Sequence, residues 1–292
     1  MMATIENNIL RVGVSELGAE LCEIHSKKSG KEYMWDANPD IWGSYAPVLF
    51  PVIGAIKDGY VLIKGHQYKV PRHGFVRNNP NVKLVDQTKN SLTYGLKYSE
   101  KTLQIYPYEF EFLITFTLEG NKITVDHKII NHGDYTLFFS LGGHPAFKCP
   151  VNEGEEYEDY YLEFEKTENA STWLLEKDGL VGKTTKPVIE NSNILPLQSD
   201  MFDNDALIFK NLNSTSVSLK SKKSSQVVHV VYKGFPYLGI WAKPNAKFVC
   251  IEPWLGIADN ADSDHNFETK EGILNLAAKG TFNASYSIEI TE

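Results

Sequence analysis

The chain has 292 residues, 42% of them hydrophobic and 12% aromatic, enough for one large β domain or two ordinary ones with a substantial core. Its formal charge of −8 argues against the basic stripe with which a nucleic-acid binder displaces counterions from phosphates. No stretch has the apolar length of a membrane span or the flanks of a signal peptide, so a soluble cytoplasmic protein without a membrane partner is expected.

Along the chain the dominant period is two. "KDGYVLIKGHQYKV" reads as short strands set between Asp-Gly and Gly-containing turns, and "NKITVDHKII" puts Ile123, Val125, His127 and Ile129 on one face. "FFSLGGHPAF" is an apolar run that stops at Gly142 and Gly143, then presents His144, with Pro145 behind it, on what reads as a shaped turn. From Asn152 to Leu197 the sequence is more acidic and irregular, and long loops are expected. "TSVSLKS" and "QVVHVVYKG" flank the turn "KKSS" as a hairpin; "YLGIWAK" and "KFVCIEPW" flank "PNA" as another. "EGILNLAAKG" has helix-like composition, and "NASYSIEIT" is an alternating strand. With no linker, repeat or low-complexity tract, the expected fold is all-β: a single two-sheet antiparallel sandwich over residues 1–292.

Three segments place a titratable residue beside Gly or Pro next to a strand: "VPRHGFVRN" (Arg72, His73, Arg77), "LGGHPAF" (His144) and "CIEPWLGIAD" (Glu252). Singly, each fits a structural histidine or a carboxylate paired with a lysine. Together, two histidines and a glutamate without a metal pattern or a nucleophile motif are what a proton-transfer site needs. A carboxylate beside a histidine is expected to raise the histidine's pKa and keep it charged. The cysteines Cys22, Cys149 and Cys250 lie in no metal-ligand spacing and read as buried free thiols.

"HGFVRN", "GGHPAF" and "IEPWLGIAD", in that order, resemble the aldose 1-epimerase (galactose mutarotase) superfamily. "APVLFPVIGAIKDGYVLIKGHQYKVPRHGF" and "ELGAELCEI" are similar to its LacX-like branch. The resemblance covers essentially the whole chain. It implies a large β-sandwich with an open sugar cleft and no metal or cofactor. It also implies roles: His144 protonates the ring oxygen of a cyclic aldose, Glu252 takes the proton from the C1 hydroxyl, and His73 donates near the ring oxygen. An aspartate that holds sugar hydroxyls is matched by Asp205 in "DNDALIF", with Asp203 the fallback. Where the family generally has an arginine, this chain has Ala55, so either the branch binds its sugar differently or Arg72 or Arg77 takes over the role. Trp254, Trp241 and Phe75 are candidates for stacking on the pyranose.

The expected partner is therefore a small-molecule sugar, an aldohexose, and the expected enzyme an isomerase. A hexose-6-phosphate epimerase, with Arg72, Arg77 or Lys57 binding the dianion, and a non-catalytic sugar-binding module are the alternatives. A glycoside hydrolase would use Glu252 with an aspartate but leave both Gly-flanked histidines without a role. The run with Asp259, Asp262, Asp264, His265 and Glu268 lacks a calcium-loop pattern and reads as a solvated acidic loop at the cleft mouth. His25, His66, His127, His132, His229 and His265 read as structural or exposed.

Overall fold

A computed structural model describes residues 2–292. The alternating strands form two large antiparallel sheets that share one buried apolar cluster. The larger has nine strands. From one edge to the other they are Val181–Pro196, Tyr160–Leu175, Ser216–Ser221, Val227–Val231, Thr281–Thr291, Lys122–Asn131, Phe110–Glu119, Ser91–Lys97 and Lys83–Gln87. The second carries the site: Leu207–Lys210, Tyr237–Trp241, Phe248–Leu255, Leu141–Gly143 and Val48–Leu49 in that order, with Ala146–Lys148 also on Phe248–Leu255. The strand Phe110–Glu119 buries Phe110, Phe112, Ile114, Phe116 and Leu118 and leaves the residues between them more open, as period two requires. Phe50 packs against Phe110 and Phe112, with ring centroids 5.4 and 5.2 Å apart, and Phe235 meets Tyr286 edge-on, joining the layers. The all-β fold class stands, and the expected face of Ile123, Val125, His127 and Ile129 is the buried one. Both expected hairpins pair as read, Ser216–Ser221 with Val227–Val231 and Tyr237–Trp241 with Phe248–Leu255.

Two expectations fail. "EGILNLAAKG" is not helical: Leu274–Leu276 is a strand paired with Leu137–Phe139. The stretch between Gly272 and Gly280 is about two helical turns long, too short to be stable alone, and pairing buries Leu276 instead. Nor is the region from Asn152 to Leu197 mainly loop. It holds two 16-residue strands, Tyr160–Leu175 and Val181–Pro196, paired as a long hairpin with several register shifts. Those bulges hide the alternation from a sequence reading. The hairpin tip docks on the segment after the Glu252 strand, where Val181 N–H donates to Asp259 O at 2.9 Å and Ala261 N–H donates to Val181 O at 2.9 Å.

One glycine fixes how "RHGF" reaches the second sheet. Gly74 has φ +77, and a Cβ there would lie 1.9 Å from the carbonyl oxygen of Phe50. Replacing Gly74 by Ala should cost about 2–5 kcal/mol, combining left-handed strain with overpacking. A urea midpoint equal to that of the unchanged protein would refute this account of the close approach.

Candidate active site

His144 and Glu252 face each other in one antiparallel ladder. The pairs Gly142–Trp254 and Ala146–Cys250 bracket them, so position 144 lies opposite position 252. Nε2 of His144 is 3.2 Å from Oε2 of Glu252, and both residues are buried. Pro145 sits between the two short strands, and its carbonyl accepts the Ile251 N–H at 3.2 Å. Because alternate residues share a face, Cys250, Glu252 and Trp254 project to one side of their strand, alongside Gly239 and Trp241 of the next.

The glycines make room on this face. A Cβ on Gly142 would lie 2.8 Å from Cδ1 of Trp254, and one on Gly239 would lie 2.4 Å from Cζ2 of the same indole. Gly143 backs onto the other sheet, where a Cβ would lie 2.7 Å from the Tyr286 hydroxyl. The reading of Gly142 and Gly143 as a turn is thus corrected. They form part of the strand Leu141–Gly143, and what they supply is space.

Around His144, Trp42 stacks on the imidazole at 5.1 Å and Trp241 meets it edge-on at 5.8 Å. His73 lies 5.7 Å away, centroid to centroid. Its left-handed backbone (φ 65) is held by Gly54 at two points. His73 N–H donates to Gly54 O at 3.0 Å, and Gly54 N–H donates to Nδ1 of His73 at 3.2 Å. With Nδ1 accepting, the neutral ring carries its proton on Nε2 and is a donor. Burial holds the His73 pKa well below its ordinary value, so the neutral form is the one present.

These groups open on a cavity of about 180 Å³. His73, His144, Glu252, Trp241 and Trp254 line it, joined by Arg72 and Asp205. The rest of the lining is largely apolar: Ile208 beside Gly239 on the same sheet, Ile53, Ala258, and Leu175 and Gly179 from the tip region of the long hairpin. Arg72 packs its guanidinium over Gly179, where a Cβ would lie 2.9 Å from Nη1. Most candidates thus meet at one place. Arg77 is not in the lining; its Nη2 donates to Ser44 Oγ at 3.3 Å. Asp203 and Lys57 are absent from the lining too, and Phe75 packs into the core against Phe50 and Phe110.

The family model for aldose 1-epimerase matches residues 1–270. The chain belongs to the aldose 1-epimerase family. It is 33% identical to the plasmid LacX protein of Lactococcus lactis subsp. lactis over 299 residues, covering 99% of each chain, and equally to the chromosomal one. A galactose mutarotase related enzyme from Lactobacillus acidophilus matches with TM-score 0.95 and 36% identity, over 100% of this chain and 98% of that one. A galactose mutarotase-like protein from Lactobacillus casei matches with TM-score 0.93 and 27% identity over the full length of both. A galactose 1-epimerase from Lactobacillus acidophilus shares the fold at TM-score 0.73 and 15% identity, over 100% of this chain and 94% of that one. The LacX-like resemblance read from the motifs is therefore shown.

Three parts of the candidate site were not marked in the sequence. Trp42 lies outside the three segments that carry His73, His144 and Glu252, and neither of its chain neighbours is titratable. Leu175 and Gly179 lie in the stretch read as loop. Asp259 was read as solvated, yet it is buried, accepts the Lys57 N–H at 3.0 Å and pairs with the buried Lys270 ammonium at 2.9 Å. "GIADN" follows directly on the Glu252 strand, so this pair holds the wall that includes Ala258. The rest of the acidic run is more open, with Asp262 paired to Lys183 and His265 stacked on Tyr60. Among the described residues no helix is long and apolar enough to cross a membrane.

Burial also reverses the expected charge on the imidazole. It pushes His144 down to about 3, aided by the nearby Arg77 and Arg72, despite the carboxylate alongside. Glu252 is raised well above the ordinary carboxylate range, chiefly by burial; the Trp254 indole N–H opposes this and Asp205 adds to it. Both shifts favour a carboxylic acid beside a neutral imidazole over an ion pair. Ring-nitrogen NMR of His144 should report a neutral imidazole at pH 6 and protonation only towards pH 3. An imidazolium spectrum at pH 6 would contradict the assignment.

Proposed function

We propose that this protein is a mutarotase, an aldose 1-epimerase that interconverts the α and β anomers of an aldohexose such as galactose or glucose. The single observation that carries the reading is the buried 3.2 Å contact between His144 and Glu252 at the wall of a monosaccharide-sized cavity. His144 acts as acid towards the ring oxygen and Glu252 as base towards the C1 hydroxyl. Neutral His73 donates from Nε2 to the ring oxygen. Arg72 and Asp205 bind hydroxyls at the rim, and Trp254 offers an apolar face to the pyranose.

In this scheme the pair holds one proton in total. It moves across the short contact from carboxyl to imidazole. The carboxylate then takes the O1 proton as the imidazolium delivers one to the ring oxygen. The C1–O5 bond breaks, its electrons go to O5, and C1=O1 forms. Rotation about C1–C2 and the reverse transfers close the ring on the other face. A depressed histidine pKa makes the imidazolium a stronger acid, and a raised glutamate pKa makes the carboxylate a stronger base. Burial thus favours the neutral pair that ring opening leaves behind.

A dianionic 6-phosphate is less well served. Among the described lining residues Arg72 is the one cationic side chain, and it shares the cavity with Asp205. That favours an uncharged hexose over the phosphorylated alternative.

Polarimetry on a freshly dissolved single anomer should show equilibration well above the buffer rate. Glu252→Gln and His144→Gln should each lose about 10²–10⁴-fold in kcat/KM. Buffer-rate equilibration for every free and 6-phosphorylated aldose tried would replace this reading with a binding module.

The pH profile of kcat/KM should be a bell that reports the pair rather than either residue. Its acid limb, a second proton on the neutral imidazole, falls near pH 3, below the ordinary carboxylate value of about 4.3. Its alkaline limb, loss of the shared proton, is displaced upward. A profile confined between about pH 4.3 and 6.5, the unperturbed values, would mean that the groups titrate as if exposed.

A further inference from the structure

The face that carries His144 and Glu252 holds a third group that the proposed reaction leaves unused. Cys250 lies two residues before Glu252 on the same side of the strand, opposite Ala146, and is a free, buried thiol. One donor atom from each of His144, Cys250 and Glu252 lies within 4.8 Å of the others. Nδ1 of His144 is buried with no hydrogen-bond partner among the described residues, and Oε2 of Glu252 has the Nε2 contact of His144 alone. Two donors bound at zinc distances of about 2.0–2.2 Å around a tetrahedral centre stand about 3.3 Å apart. Nε2 of His144 and Oε2 of Glu252 are already 3.2 Å apart. The Cys250 sulfur has to move in from within 4.8 Å to complete the set. The remaining direction faces the cavity, which Glu252 and His144 line.

We propose that His144, Cys250 and Glu252 form a site for a thiophilic divalent cation of the zinc class, with its fourth position open to the cavity. A sulfur, a nitrogen and a carboxylate oxygen suit such a borderline-soft ion, whereas Mg²⁺ and Ca²⁺ prefer all-oxygen shells. Ligation replaces the thiol proton and the proton shared by the pair, and both leave to solvent. The bound ion takes the two atoms that would pass protons to a sugar, so it switches the site off. That consequence rests on the reaction proposed above; the binding does not.

Cadmium is the probe, used on the full chain with Cys22→Ser, because Cys22 is partly exposed. One equivalent should give a thiolate-to-cadmium charge-transfer band in the ultraviolet. Zn²⁺ should compete with it and Mg²⁺ should not. The band should persist in Cys149→Ser and vanish in Cys250→Ser. Outer-shell changes alone cost 10–100-fold in metal affinity, so Glu252→Gln and His144→Gln should each weaken binding at least about tenfold. The proposal is overturned by the absence of a band, by its survival in Cys250→Ser, or by unchanged affinity in both pair variants. If Cys250→Ser does not fold, the two pair variants decide in the same way. Cadmium bound as described in a protein that accelerates no mutarotation would leave the metal site standing and remove the enzymatic reading.

Discussion

A histidine and a glutamate kept out of water and in contact constrain everything around them. Here the contact is set by strand register: Gly142 against Trp254 and Ala146 against Cys250 leave His144 no neighbour across the ladder but Glu252. A slip of one residue would turn every side chain of the segment to the opposite face. The sandwich therefore does more than support the site. The pairing that builds its second sheet is also the pairing that creates the acid–base couple, and Gly142 and Gly239 beside it let Trp254 lie close by.

Enclosure sets the chemistry as firmly as proximity does. A histidine and a glutamate this close in water would form an ion pair. Behind Trp42, Trp241 and Trp254, charge separation is costly and the neutral arrangement is preferred. The environment then weakens the hold of the imidazole on its proton and strengthens that of the carboxylate. Both changes act in the same direction along the proposed proton path. His73 adds a donor that cannot readily become a cation, because Gly54 occupies one ring nitrogen and burial disfavours the second proton.

Much of this was legible in the chain. Strict alternation in "NKITVDHKII" marks a half-buried strand, and the hairpins around "KKSS" and "PNA" follow from turn chemistry. His73, His144 and Glu252 stand out because each sits beside a residue with special backbone behaviour. What escaped has physical reasons. Register between segments more than a hundred residues apart leaves no local signature, so the family resemblance implied that His144 and Glu252 share a substrate but not that they pair across one ladder. Bulges erased the period of two in the Tyr160–Pro196 hairpin, and a two-turn length limit outweighed the helical composition of "EGILNLAAKG". Trp42 acts through tertiary packing alone. Arg77 shares its motif with His73, yet it lies four residues further along, where the chain has turned towards Ser44.

The long hairpin has a consequence of its own. It belongs to the edge of the nine-stranded sheet, and its far end supplies one wall of a cavity whose reactive groups stand on the other sheet. Edge strands that already tolerate register shifts can lengthen or shorten without disturbing the layers beneath. The molecule is thereby divided between a fixed chemical floor and an adjustable ceiling. Selection for a different guest could remodel the ceiling one residue at a time, and the proton machinery below would stay as it is.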